Sequence, residues 1–192
     1  MQKRVLLSTF VQNSIKVMIQ NERDIRFELA IQAAQQMMVA ARTAPKGKGV
    51  DIIEMALVSG EDKIRLADEM ERIGIERGYK FFNRDAENVL KANIVMIIGT
   101  RQKTQSLNCS HCGFHTCQSK PAAIPCAINT IDVGIAVGSA CAKAADLRVD
   151  TRVMFSAGFA AQSLSMLGDD CGCVMGIPIS ASSKSPFFDR KD

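Results

Sequence analysis

The chain has 192 residues, of which 47% are hydrophobic and 23% charged, with a formal net charge of +4; this balance fits one globular domain with one main core and excludes disordered and fibrous classes. Residues 1–48 carry eight basic and three acidic groups and residues 49–100 seven and ten. Neither block is a polybasic stripe, and the chain has one Tyr and no Trp, so no nucleic-acid partner is expected. No run approaches the roughly 18 apolar residues of a membrane span, and the first residues lack a secretory pattern, which predicts a cytoplasmic protein without membrane contact.

In chain order, a short apolar start at Val5, Leu6 and Leu7 precedes a segment from about Glu22 to Arg42. There Ile25, Leu29, Ala33, Met37 and Ala41 recur at four-residue steps, the spacing of one helix face. Pro45 forbids continuation and opens a Pro-Lys-Gly-Lys-Gly loop. Val50 to Val58 predicts a buried strand. Ser59 offers an N-cap for a helix from about Glu61 to Glu76, with Leu66, Met70 and Ile73 inward and Gly78 ending it. A short helix near Asp85 to Ala92 leads to Ile94-Val-Met-Ile-Ile98, a continuous apolar run expected of a strand covered on both faces and closed by Gly99. Ala127 to Ala145 predicts a helix apolar on most sides and therefore buried. Arg152 to Phe155 predicts a short strand, Gly158 to Leu167 a helix, and Cys173 to Ile179 a last strand.

Between Thr100 and Pro125 neither period persists, and a loop this long inside a compact domain needs something to order it. Its cysteines supply a candidate. Cys109, Cys112 and Cys117 read C-x2-C-x4-C, and Cys126 follows after eight intervening residues. Two cysteines separated by two residues can present both sulfurs to one metal centre, Gly113 relieves crowding beside the second, and iron–sulfur clusters draw four thiolates from such spacings plus a more distant partner. Phe114 with Ala122, Ala123, Ile124 and Pro125 offers an apolar wall. Zinc would draw on the same sulfurs, with His111 or His115 able to replace Cys126. Seven cysteines, an odd number crowded in this way, fit metal ligation in a reducing compartment better than a disulfide framework. Cys141 reads as a core residue or an alternative fourth ligand, and Cys171-Gly-Cys173 as two unrelated cysteines beside a strand or as a redox or metal-binding C-x-C pair.

The segments Ala40-Ala-Arg-Thr-Ala-Pro-Lys-Gly-Lys-Gly-Val-Asp51, the cysteine loop, Cys126 to Ser139, Gly176-Ile-Pro-Ile-Ser180 and Phe188-Asp-Arg190 resemble, in this order, a family of uncharacterised prokaryotic proteins with a ferredoxin domain in a nitroreductase-like framework. The resemblance implies an α+β fold: a central, mostly antiparallel sheet with surrounding helices over residues 1–192, carrying an inserted cysteine-rich iron–sulfur loop at residues 100–126. The loop is also similar to 4Fe-4S domains of the C-x2-C-x4-C type, which implies Cys109, Cys112, Cys117 and Cys126 as ligands of a 4Fe-4S cluster. Nitroreductase-like proteins are commonly homodimeric flavoproteins, so a homodimer and FMN are implied as well. Arg42 and Lys46 fall where that superfamily has a loop contacting the flavin ring; Lys48 is a further cation there, and the basic loop reads equally as a solvated connection. The N-terminal Arg-Arg-Ser-x-Arg phosphate motif of the superfamily is missing, with Asn21-Glu-Arg-Asp-Ile-Arg26 only a loose substitute.

Three expectations follow: an iron–sulfur protein passing electrons to a flavin or to a redox partner protein; an FMN-dependent oxidoreductase of nitroreductase type; or a zinc-binding structural module. No acid, base or nucleophile is identifiable, so whether the chain is an enzyme stays open.

Overall fold

The computed structural model describes residues 19–188; the apolar start at Val5 to Leu7 and the last residues of the 188–190 segment lie outside that range. Helix α1 (Glu22–Thr43) opens on Asn21, whose side chain accepts the Arg23 N–H, and it has Glu22 and Asp24 in its first turn and Arg42 in its last. Each of these complements the helix dipole or its orphan amides. The stripe of the sequence holds for Ala33, Met37 and Ala41, but Leu29 faces outward and Ala30 and Ala34 are buried in its stead.

Strand β1 (Ile53–Val58) begins later than Val50 and leads to α2 (Gly60–Arg77). Ser59 occupies the N-cap position without a side-chain hydrogen bond, and Gly78 ends the helix at a left-handed φ of 69°, a conformation that costs glycine little. Helix α3 (Lys80–Lys91) starts five residues before the expected Asp85, because Phe82 is part of its buried face and packs edge-on against Phe155 and Phe159. Strand β2 (Ile94–Arg101) runs past Gly99. After the loop come α4 (Ala127–Asp146), β3 (Asp150–Thr151), α5 (Phe155–Ser163) and β4 (Cys171–Ser180). The strand expected at 152–155 is thus displaced to β3, with Met154 adding one bridge to Gly176 before α5 begins.

The four strands form one antiparallel sheet in the order β1-β2-β4-β3. Side chains alternate across it, so Val95 and Ile97 enter a cluster with α2, α3 and α5, while Ile94, Met96 and Ile98 enter another with α1 and α4. This is the two-sided covering that the unbroken apolar run of β2 predicts, and it divides the expected single core between the two faces of the sheet. Opposite Gly99 the β2–β4 register slips, with Cys173 at a φ of 52°. Gly99 leaves no room for a side chain, since a Cβ there would lie 2.9 Å from Val174 and 3.0 Å from the Cys171 sulfur.

Helix α4 corrects the expectation of burial on most sides. Asp132, Val133, Ala136, Val137, Ala140 and Ala144 are buried, but Ile131 and Ile135 are 47% and 40% exposed. The opposite face carries the core, and the Ser139 hydroxyl donates to the Ala40 carbonyl of α1 at 2.8 Å.

Candidate metal centre

Central strand β2 delivers the chain at Arg101 to a segment without helix or strand that ends where α4 begins. The segment is held by its own polar groups. The Asn108 Oδ1 accepts the Cys117 N–H at 2.8 Å, and the Asn108 N–H donates to the Cys117 sulfur at 3.4 Å. The Gly113 N–H donates to the Ser110 carbonyl at 2.9 Å, and His111 Nδ1 pairs with the Cys109 carbonyl at 2.9 Å. Ser106, Asn108 and Ser110 all take a left-handed φ between 49° and 59°. For residues other than glycine this backbone is costly, and such residues gather at functional sites where the chain must curl tightly.

The curl brings Cys109, Cys112, Cys117 and Cys126 to the wall of one cavity, together with Leu107, Phe114, Ala127 and Ile128. Cys126 is buried at the N-cap position of α4. Burial raises the cost of charging its sulfur, but the amides of Gln105, Asn129 and Ile128 and the Lys120 ammonium outweigh that term and hold the thiol below its ordinary value. The arrangement is electrostatic rather than a formed cap, since Cys126 accepts no side-chain cap hydrogen bond. Lys120 is the one charged residue that lines the cavity, and a cation there favours an anionic group such as a set of thiolates. All seven cysteines are free.

Sequence reasoning placed part of this wall incorrectly. Phe114 lines the cysteine cavity, but Ala122 to Pro125 line a neighbouring pocket with Arg101, Lys103 and Cys173, whose boundary with the first is formed by Lys120 and Cys126. His111 and His115 are exposed and do not line the cysteine cavity. Among the described residues, no three His, Cys, Asp or Glu side chains stand close enough to hold a single metal ion. Cys141 cannot join the set: it lies fifteen residues beyond Cys126 on the same helix, about 22 Å along the axis at the usual rise. Cys171 and Cys173 lie in β4, and burial pushes both thiols up, Cys171 to about 11 with the Glu54 and Asp170 carboxylates adding to the effect. That leaves them protonated at neutral pH.

One residue that sequence reasoning missed completes the cavity. Gln105 is 4% exposed and lines the same space, and neither its Nε2 nor its Oε1 has a partner among the described residues. Its only sequence signal is a polar residue within a patternless loop. The donor set of four free thiols, the Lys120 cation and this orphaned amide together fit an iron–sulfur group, which takes four thiolates and accepts N–H hydrogen bonds at its sulfurs.

The basic loop expected to meet a flavin is tied down on every side. Arg42 donates to Asp51 and to the Ile53 carbonyl, both at 2.8 Å. Burial works against charge on Asp51, but Arg42 and the Ile53 N–H outweigh it and keep the carboxyl below its usual value. The Lys46 ammonium caps the end of α1 through the carbonyls of Ala41, Arg42 and Ala44. The Gly47 N–H donates to both oxygens of buried Asp132, at 3.0 and 3.1 Å, and a Cβ on Gly47 would fall 2.5 Å from Ile128. Lys48 reaches the Gln105 carbonyl at 3.1 Å.

Residues 122–190 match the model of a family described as uncharacterized protein containing a ferredoxin domain. The match takes in Cys126, whereas Cys109, Cys112 and Cys117 precede it. An uncharacterized protein of Archaeoglobus fulgidus is 43% identical over 183 residues, spanning 90% of this chain and 98% of that one. The chain belongs to this ferredoxin-domain family. Its fold is nitroreductase-like: it is similar to a nitroreductase family protein from Clostridium novyi NT with a TM-score of 0.55 at 15% identity, over 78% of this chain and 73% of that one. It is also similar to an FMN-dependent nitroreductase from Clostridium difficile, with a TM-score of 0.53 at 14% identity over 80% and 76%. No described helix is long and apolar enough to cross a membrane.

Proposed function

We propose that this ferredoxin-domain protein is a cytoplasmic electron-transfer protein in which Cys109, Cys112, Cys117 and Cys126 hold a 4Fe-4S cluster. The observation that carries the reading is the shared cavity: three cysteines from one curled loop and a fourth from the start of α4 line the same space. Four thiolates from one loop and the start of α4 are the donor set a cluster takes, one for each iron. When bound, such a cluster supplies the transfer of one electron at a time. The chain's part is to hold the thiolates, with Lys120 and the α4 amides favouring the charged form of Cys126, and to limit water with Leu107, Phe114 and Ile128. The residue range 100–126 acts on this reading as a metal-binding insert in a single domain. Anaerobic protein with iron and inorganic sulfide, both lost in Cys109→Ser or Cys126→Ser, is the expected result; full iron in either variant overturns the ligand set.

A second reading, that the protein also takes FMN as a homodimer, is supported by the fold and by the Lys48 contact that sets the basic loop beside the cysteine loop. Arg42 and Lys46 then serve a flavin by fixing the backbone of that loop, because their own charged groups are occupied within the chain. Extractable FMN that follows the protein through purification tests it, and a preparation that takes up iron and sulfide but no added FMN contradicts it.

A further inference from the structure

Gln105 is buried to 4% exposure, its main-chain carbonyl is fixed by Lys48 at 3.1 Å, and both polar atoms of its side chain are unpaired among the described residues. A buried primary amide left in this state loses its hydrogen bonds to water without replacement, which native proteins rarely tolerate unless a ligand restores them. The space the residue lines is the one lined by Cys109, Cys112, Cys117 and Cys126. Thiolate and sulfide are acceptors, so the half of the amide that can pair with them is the Nε2–H group.

We propose that Gln105 donates an Nε2–H hydrogen bond to a sulfur of the cluster, or to one of its cysteine thiolates, and thereby raises the reduction potential. The proposal rests on the four-cysteine reading of the cavity. The electrostatics give its sign. Adding an electron makes the sulfurs more negative, so an N–H held against them stabilises the reduced form more than the oxidised one. The Lys48 contact fixes the main chain from which this amide projects. Gln105 is therefore a positioning and tuning residue, whose loss is read in the potential and not in iron content.

The test is an anaerobic redox titration of reconstituted full-length protein followed by electron paramagnetic resonance, comparing the parent with Gln105→Leu and Gln105→Glu. Leu keeps the approximate volume and removes the donor; Glu keeps the shape and replaces the donor by an acceptor. Both variants are expected to hold the parent's iron and sulfide and to be harder to reduce, by about tenfold in the equilibrium constant, or about 59 mV for a one-electron couple. Pulsed resonance on protein labelled with [15Nε]glutamine is expected to show a 15N coupling that disappears in Gln105→Leu, a signature that a packing role would not produce. An unchanged potential in a variant that retains its cluster overturns the assignment of Gln105 while leaving the cluster reading intact. If Gln105→Leu does not hold a cluster, absence of the 15N coupling in the parent overturns it in the same way. A parent protein that takes up no iron and sulfide overturns the cluster reading and this proposal with it.

Discussion

The Lys48 ammonium donates to the Gln105 carbonyl across 3.1 Å, joining the loop that follows α1 to the loop that carries the cysteines. The two segments are far apart in sequence, and Lys48 itself takes a left-handed φ of 56° to make the reach. Gly47, one residue earlier, is fixed to Asp132 of α4. The cysteine cavity is therefore buttressed from outside its own loop.

Removing that buttress has a defined consequence. Lys48→Met keeps most of the side chain's length but abandons a partly buried carbonyl, a loss of about 1.5–3 kcal/mol for a hydrogen bond from a charged donor. Faster loss of iron to a chelator is expected in the variant, with little change in the far-ultraviolet spectrum. A chelation rate equal to the parent's would show that the contact does not support the centre.

The fourth ligand separates by position. Cys126 and Cys141 share α4, but only Cys126 lines the cavity. Cys126→Ser is expected to lose iron, and Cys141→Ser to retain it in full. Iron lost from Cys141→Ser with its fold intact would contradict the placement.

Helix α5 lies unusually close to β4. A Cβ at Gly158 would sit 2.0 Å from the Val174 carbonyl oxygen and 2.5 Å from the Met175 Cα. Those are backbone atoms that cannot rotate aside, so Gly158→Ala is expected to destabilise the fold by about 3 kcal/mol or more, at the upper end of overpacking effects. A denaturant midpoint within error of the parent's would show that α5 does not contact β4 this closely.

The thiol of Cys171 gives a pH dependence with a definite sign. Burial, then Glu54 and Asp170, raises it from the ordinary 9.0 to about 11 in the folded chain. Above the unfolded value the unfolded chain gives up this proton first, so the contribution to stability is whole below about pH 9 and is lost as pH rises through about 11, to a limit of about 3 kcal/mol. Urea unfolding of Cys171→Ala between pH 8 and 11 is expected to show a shallower decline than the parent. An identical slope would place the raised thiol elsewhere.

Much of this was legible in the sequence where one local signal dominates. The β2 run from Ile94 to Ile98 reads as a strand covered on both faces, which it is, and Pro45 and Gly78 stop their helices by backbone chemistry alone. The C-x2-C-x4-C spacing singled out three cysteines that do line one cavity with Cys126, because such a spacing is local. What escaped depends on partners distant in sequence. Phe82 draws α3 to an earlier start through Phe155 and Phe159; Leu29 faces outward because the smaller Ala30 and Ala34 meet the core. The burial of Gln105 and the internal engagement of Arg42 and Lys46 depend on tertiary contacts, and no periodicity encodes those.

The exposed apolar face of α4 is where the proposed homodimer is most open to test. Ile131 and Ile135 are near solvent, and a Cβ at neighbouring Gly134 or Gly138 would meet nothing within 4 Å, leaving a smooth surface suited to close helix contact. Ile135→Glu is expected to shift sedimentation from dimer to monomer. A monomeric parent would contradict the dimer.

Whether the four cysteines hold a 4Fe-4S cluster is decided by quantifying iron, inorganic sulfide and zinc on one anaerobically purified sample and recording its visible spectrum. Brown protein with iron and sulfide in near-equal amounts, about four of each per chain after full reconstitution, is the expected result. Zinc bound without sulfide would contradict it and make the four-cysteine cavity a structural site.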